Sequence, residues 1–238
     1  VTVPARTRHR ELVEAMAGAG IPVHVVSGEA MAGLAQTVTP QGLLAVCGFV
    51  DVPLSGLRPP SLAALLANVR DPGNAGTVLR TADAAGAQAV IFAGASVDPY
   101  NGKCVRATAG SLFHVPVVTG ITLADAVAAM RDAGLRVVAA DGRAERRLDD
   151  PDVQARLSEP TAWLFGNEAW GLPPEQLSLA DEAVAVPIYG RAESLNLAAA
   201  AAVCLYASAR AQQAPAAAIR ETRETREARN ATRKIKCR

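Results

Sequence analysis

The 238-residue chain is half apolar and one-fifth charged, an ordinary composition for a globular protein with enough length for one large or two modest domains. No apolar run approaches the roughly 18–20 residues that cross a bilayer, so neither a membrane span nor a membrane partner is expected. The net charge of +1 conceals an asymmetry: Ala214–Arg238 carries eight Lys/Arg and three Glu, net +5, which leaves 16 basic against 20 acidic residues, −4, elsewhere. Only the tail therefore advertises a polyanionic partner.

Val1–Arg10 has no signal-peptide pattern, and the chain opens without an initiator Met, as a trimmed N-terminus would. An amphipathic segment, Arg8–Ala17, stops at Gly18 and Gly20. Two short apolar runs follow, Pro22–Val26 and Leu43–Val50, with Ser27 placed to cap a helix over Gly28–Ala35. This reads as part of a small α/β unit, residues 1–50, near the lower size limit for independent folding. Residues 51–60 carry three prolines and a glycine and read as a linker that allows reorientation. From there the pattern becomes regular. Apolar runs at Leu62–Ala67, Ala89–Ala93, Val115–Val118, Arg136–Ala140, Ala162–Phe165 and Ala183–Pro187 read as strands, most of them separated by helical segments. Thr122 followed by Asp125 resembles a capping box that opens a helix ending at Gly134. Alternation of this kind predicts an α/β domain over 61–212, a mainly parallel sheet with helices on both faces. Leu195–Arg210 is a helix by propensity. The tail, 213–238, steps Arg-Glu-Thr with almost nothing apolar to bury and is expected to be helical or disordered.

Several chemistries lack their signatures. There is no Gly-x-Gly-x-x-Gly fingerprint for a dinucleotide and no Gly-x-Ser-x-Gly elbow. Asn101-Gly102-Lys103-Cys104 fails as a phosphate loop. Cys47, Cys104, Cys204 and Cys237 are scattered, which argues against a disulfide framework and against zinc and fits a reducing cytoplasm. His24 and His114 lie beside apolar residues and read as satisfied structural histidines.

Ligands of parallel sheets sit beyond the carboxyl ends of the strands, and three loops there are chemically distinctive. The first, Asn68 to Asp83, has Pro72-Gly73 as a turn, Asn74 as a helix cap, Gly76 where another backbone can approach, and Arg80 two turns into the helix. Taken alone, an Arg there is as a rule a solvated helix residue. The second, Leu164-Phe165-Gly166-Asn167-Glu168-Ala169-Trp170-Gly171-Leu172, presents polar groups between two glycines. A polar turn explains it equally well. In the third, Val186 to Leu197, Ser194 can cap the following helix, whereas Asn196 is a poor residue for a first helical turn.

Together, in this order and spacing, the loops resemble the three signature motifs of the SpoU-type 2′-O-ribose methyltransferases of the SPOUT superfamily, over roughly Ser61–Arg210. The resemblance implies S-adenosylmethionine as cofactor, methyl transfer to a ribose 2′-hydroxyl of structured RNA (ribosomal RNA ahead of transfer RNA), no metal, a homodimer and a C-terminal trefoil knot. It also implies that residues 1–50 are the later part of an N-terminal domain similar to ribosomal protein L30e. It assigns Arg80 to the reacting hydroxyl, with Asn74, Glu168, Ser194 and Asn196 shaping the site. Leu164, Gly166, Val186, Ile188, Leu195 and Asn196 fall to the cofactor. Trp170 departs from the small residue common at its position. The alternatives are a catalytically silent RNA-binding or ribosome-assembly module on the same fold and, more remotely, a nucleotide-dependent oxidoreductase, which the missing fingerprint disfavours.

Overall fold

A computed structural model describes residues 1–35 and 37–214; the charged tail read above lies outside the described residues from Pro215 onward. The chain divides into a unit of Val1–Phe49 and a second that begins at Val50.

The first unit holds three short helices, α1 (Val3–Arg8), α2 (Arg10–Gly18) and α3 (Gly28–Leu34). The Thr2 hydroxyl accepts from Ala5 N–H to cap α1, and Ser27 caps α3 by accepting from Ala30 N–H at 3.1 Å. The amphipathic stretch Arg8–Ala17 is therefore mostly α2, and Arg8 closes α1 before a break at His9, whose φ/ψ of −115°/40° is not helical. Neither apolar run is a strand. Val26 forms a single isolated bridge, to Thr2, and a strand persists only where a neighbour continues the ladder. Ala5, Val13 and Met31 are the buried apolar residues of this unit.

The second unit is built on six parallel strands: β1 (Leu62–Ala67), β2 (Ala89–Ala93), β3 (Val117–Ile121), β4 (Arg136–Ala140), β5 (Thr161–Phe165) and β6 (Glu182–Val184). Their order is β3-β2-β1-β5-β4-β6. β1 and β5 are neighbours, yet the chain leaves β1 toward β2 and leaves β5 toward β6. This divergence is a topological switch point, where a crevice opens above the strand ends. β3 begins later than its apolar pattern because Pro116 has no N–H for the ladder. β6 stops at Val184, and Ala185 turns to the 140s loop, bonding to Arg146 O.

Alternation along β1 shows the layering. Leu62, Ala64 and Leu66 join one core with helices α4 (Pro72–Ala84), α5 (Gly102–Thr108), α7 (Pro151–Arg156) and α9 (Leu197–Gln213). Ala63, Leu65 and Ala67 join the other, with α6 (Leu123–Asp132) and residues around α8 (Pro174–Leu177). Thr122 caps α6, its hydroxyl accepting from Asp125 N–H and donating to the Asp125 carboxylate. The fully buried Trp163 donates from Nε1 to Ser208 Oγ at 2.9 Å, which fixes α9 to the middle of the sheet. The expected linker is strapped down: Val50 and Asp51 N–H both donate to Tyr100 Oη at 2.8 Å, and Val52, Leu54 and Leu57 pack on the second core. His24 and His114 are exposed rather than buried, although the His114 ring is satisfied, its Nδ1 meeting an Asp83 oxygen at 2.9 Å. No helix among the described residues is long and apolar enough to cross a membrane.

Candidate active site

The first motif loop leaves β1 through Asn68, a non-glycine residue in the left-handed region at φ 55°. Its side-chain oxygen accepts from Ala95 N–H at 2.8 Å, which holds a conformation most residues avoid. Asp71, not Asn74, caps α4, accepting from Asn74 N–H at 2.8 Å, and Pro72 and Gly73 lie in the first helical turn rather than in a separate turn. Proline suits that position because its missing N–H would have no partner there. Asn74 is left free for side-chain work. Lys103 Nζ lies 2.8 Å from Asp71 and, with the cap bond from Asn74, holds its carboxyl below the usual aspartate value. Gly76 lies against the Cys104 carbonyl and the Ala107 methyl, where no Cβ fits, and this lets α5 pack directly on α4.

The second loop, after β5, folds back on itself. Asn167 and Gly171 exchange two backbone hydrogen bonds, of 3.0 and 2.9 Å. Gly166 is obligatory, since a Cβ there would sit 2.5 Å from Gly171 backbone atoms. Asn167 Nδ2 donates to Asn68 O at 2.8 Å and ties the loop across the switch point to the first. Glu168 accepts from the N–H groups of Arg70 and Asp71, at 3.2 and 3.1 Å, and from Asn74 Nδ2 at 3.3 Å.

In the third loop the cap of α9 is Asn196, not Ser194. Its Oδ1 accepts from Ala198 and Ala199 N–H, so an Asn there costs the helix nothing. Its Nδ2 donates to Asn74 Oδ1 at 3.0 Å. Glu168, Asn74 and Asn196 thus form one polar chain through all three loops, with Asn74 as its centre.

Beside this chain lies a cavity of about 350 Å³ above the ends of β4, β5 and β6. Of the residues assigned from sequence, it gathers Gly166, Val186, Ile188, Ser194 and Leu195. Leu164 is not there: its side chain is fully buried in the core under the sheet. Asn196, Asn74 and Glu168 form the polar chain beside the cavity and do not line it. Arg80 joins neither. It is exposed and has no ion pair among the described residues. Six residues past Asn74, it sits about 9 Å further along α4 and about 120° around it.

Sequence reasoning missed the loop after β4. Ala140, Asp141, Gly142 and Arg147 line the cavity, and an Asp-Gly pair directly after a strand was the available signal. Asp141 is almost buried, and Arg143 grips both its oxygens at 3.0 and 2.8 Å while also donating to Leu172 O. That bond from Arg143 keeps the Asp141 carboxyl below the usual aspartate value, so it stays charged. The donor set is mixed: glycine backbone and apolar side chains on one side, the carboxylates of Asp141 and Glu193 and the guanidinium of Arg147 on the other.

Comparisons with known proteins agree with this architecture. Residues 61–206 match the model of the SpoU rRNA Methylase family, and residues 3–51 match that for RNA 2′-O ribose methyltransferase substrate binding. The chain is 38% identical over 187 residues to the 23S rRNA (guanosine(2553)-2′-O)-methyltransferase RlmP of Bacillus subtilis, across 79% of this chain and 72% of that protein. It is 33% identical over 212 residues to the 23S rRNA (guanosine-2′-O-)-methyltransferase RlmB of Bordetella pertussis, across 87% and 85%. The AdoMet-bound rRNA methyltransferase from Sinorhizobium meliloti superposes with a TM-score of 0.72 at 31% identity, over 90% of this chain and 80% of that one. The SpoU methyltransferase AviRb from Streptomyces viridochromogenes, in complex with AdoMet, gives 0.56 at 38% identity over 62% and 59%. With both segments matched and the three loops joined at one strand-end crevice, the chain belongs to the SpoU rRNA methylase family.

Proposed function

We propose that the protein methylates a ribose 2′-hydroxyl of ribosomal RNA with S-adenosylmethionine as donor. The observation that carries this reading is the cavity above β4–β6, walled by the crossing of Gly166 and Gly171 and bordered by the Glu168–Asn74–Asn196 chain. Its size falls in the range of small-molecule sites, and its donor set suits the cofactor. Backbone groups and Val186, Ile188 and Leu195 can take an adenine. Glu193 suits cationic ammonium and sulfonium groups, with Asp141, already paired with Arg143, beside it, and Arg147, which also pairs with Asp149, suits a carboxylate. When bound, the cofactor supplies a methyl group activated by the sulfonium; no metal is required.

The chain's own residues serve the acceptor. A neutral hydroxyl is a weak nucleophile, and negative charge grows on its oxygen as it attacks. Arg80, a planar guanidinium with several donors, is suited to stabilise that charge and to hold a flanking phosphate rather than to act as base. The Glu168–Asn74–Asn196 chain fixes the start of α4 and hence the placement of Arg80. Arg80 lies outside the cavity lining of its own chain. A homodimer packed through α4 and α9, where Val203 and Tyr206 are 43% and 45% exposed, would let Arg80 serve the partner's cavity. The knotted C-terminal passage implied by the family belongs to the same reading.

Ribosomal RNA is favoured over transfer RNA because the two relatives named above act on 23S rRNA. A tRNA (guanosine(18)-2′-O)-methyltransferase of Escherichia coli matches over a shorter stretch, 169 residues at 33% identity. The test is transfer of labelled methyl to total RNA, followed by mapping of the modified nucleotide. Label in a ribose of ribosomal RNA is expected; label in transfer RNA alone would move the target, and none in any RNA would leave the silent-module reading. Light scattering should give twice the chain mass.

A further inference from the structure

The loop after β5 carries one side chain that the cofactor cavity leaves unexplained. The paired bonds between Asn167 and Gly171, with Ala169 N–H donating to Asn167 Oδ1 at 2.8 Å, hold the intervening residues as a stiff tip. Asn167 and Gly171 line the cavity. From the tip, Glu168 turns to α4, whereas Trp170 projects outward with 50% of its surface exposed. The Arg70 guanidinium stands 5.4 Å from the centroid of its ring. Neither apolar core includes this indole, and so large an exposed aromatic surface is costly to leave in water.

We propose that Trp170, backed by Arg70, is the platform on which the base of the target nucleotide stacks while its ribose is presented to the cofactor cavity. This rests on the RNA-methyltransferase reading above. Proteins that take nucleotides out of structured RNA hold the freed base on aromatic rings and guanidinium planes. Trp170 meets three demands of that role. Its position is fixed, because the tip is hydrogen-bonded on both sides and the guanidinium restrains the ring. It is near the chemistry, its Cα one peptide link, about 3.8 Å, from that of the cavity-lining Gly171. It is flanked by Arg70, whose charge has no ion pair among the described residues and can take the phosphate beside the stacked base.

The test uses the full chain with Trp170→Phe and Trp170→Leu. The other tryptophan, Trp163, is fully buried, so the emission of Trp170→Phe gives the background for Trp170. A short single-stranded RNA oligomer of mixed sequence should quench Trp170 emission, and its abasic counterpart should not. In labelled methyl transfer to protein-free ribosomal RNA, Trp170→Leu should raise KM for RNA about tenfold or more, the scale of one lost base stack. Calorimetric affinity for S-adenosylmethionine should not change, and Trp170→Phe should recover most of the loss. Equal quenching by the abasic oligomer, or Leu performing as well as Phe, overturns the platform. So does a parallel fall in cofactor affinity, or a halved mass in light scattering, which would place Trp170 in a subunit interface. If the unaltered protein transfers no methyl, the enzyme reading fails, and the quenching comparison still decides for or against the platform.

Discussion

At the amino ends of β4 and β6, five charged residues pair their charges with one another, although the buried Arg136 Nε and Glu182 Oε1 complete no hydrogen bond. Arg136, with a side chain 11% exposed, meets Glu182, 8% exposed, at 2.9 Å, and Arg146, Arg156 and Glu159 close around them. Burial lowers the Arg136 pKa, and the neighbouring carboxylates oppose that shift. At the carboxyl ends the polar groups are equally dense but unfinished: Arg80 has no ion pair among the described residues, Trp170 is half bare, and Glu193 faces a cavity. A buried cluster whose charges are paired with one another supports a fold; an exposed one with unpaired charge can bind something else. Substitutions at the two ends should therefore separate stability from activity.

The largest effect is expected at the closed end. Glu182→Ala leaves Arg136, in a nearly dry site beside Arg156, with only the longer pair to Glu159 at 3.5 Å, and loss of one partner of a buried pair costs up to about 3–5 kcal/mol. Urea unfolding should show that loss, while calorimetric titration of the protein that remains folded gives unaltered cofactor affinity. A folded variant that no longer binds cofactor would mean the two ends are coupled. At the open end, Arg80→Ala should lower turnover by roughly 10²–10³, the usual effect of removing one charge-stabilising donor, with the urea midpoint and cofactor affinity unchanged. Arg80→Lys should recover little, because a point charge does not replace a planar fork. Near-normal turnover in Arg80→Ala would return this residue to the solvated surface of α4.

How far these two ends could be read from sequence differs for a physical reason. Strand periodicity and propensity are local, so β1, β2 and β4 stand where their apolar runs put them, and the loops beyond them could be singled out. Partnership is not local. Nothing near Glu182 announces Arg136, 46 residues away, and the closed cluster went unseen. The choice of cap among neighbouring polar residues is also a tertiary matter. Asn74 and Ser194 had the right chemistry to cap α4 and α9, but Asp71 and Asn196 have the geometry. That exchange frees Asn74 to bridge the other two loops, a role that no window around Asn74 contains. The runs Pro22–Val26 and Leu43–Val50 failed as strands for the complementary reason: a strand needs a neighbour, and sequence pattern does not supply one.

Asn196 tests whether its bridging role is separable from capping. Asp caps a helix as well as Asn does, and its charge suits the N-terminal end. Asn196→Asp should therefore keep thermal stability within a few tenths of a kcal/mol. It removes the donor to Asn74 Oδ1 and sets two oxygens against each other, so methyl transfer should fall about three- to tenfold, the scale of one hydrogen bond. Asn196→Ala, which loses cap and bridge together, should lose about 1 kcal/mol of stability in addition. Full activity in Asn196→Asp would show that the chain through the three loops is structural only.

The smallest effect, and the sharpest probe of the open end, is the pH response of Asp71. Its carboxylate caps α4 and meets Lys103, and its folded pKa lies below the ordinary 3.8. A carboxyl depressed on folding contributes stability that is present above its unfolded pKa and is lost as pH falls through its folded one. The side chains of Asp71 and Lys103 are 43% and 59% exposed, so solvent and salt screen the pair and limit it to about 0.2–1 kcal/mol. Asp71→Asn keeps a competent cap and deletes only the charge. At pH 7 and low salt the variant should be less stable than the parent by that small amount. The gap should close in high salt, and also as pH falls through the depressed folded pKa, where the parent carboxyl becomes neutral. Urea midpoints across this pH range and at both salt concentrations provide the measurement. A gap that persists at low pH or ignores salt would show that Asp71 works through cap geometry alone, and that Lys103, like Arg80, still has its charge to offer to a phosphate.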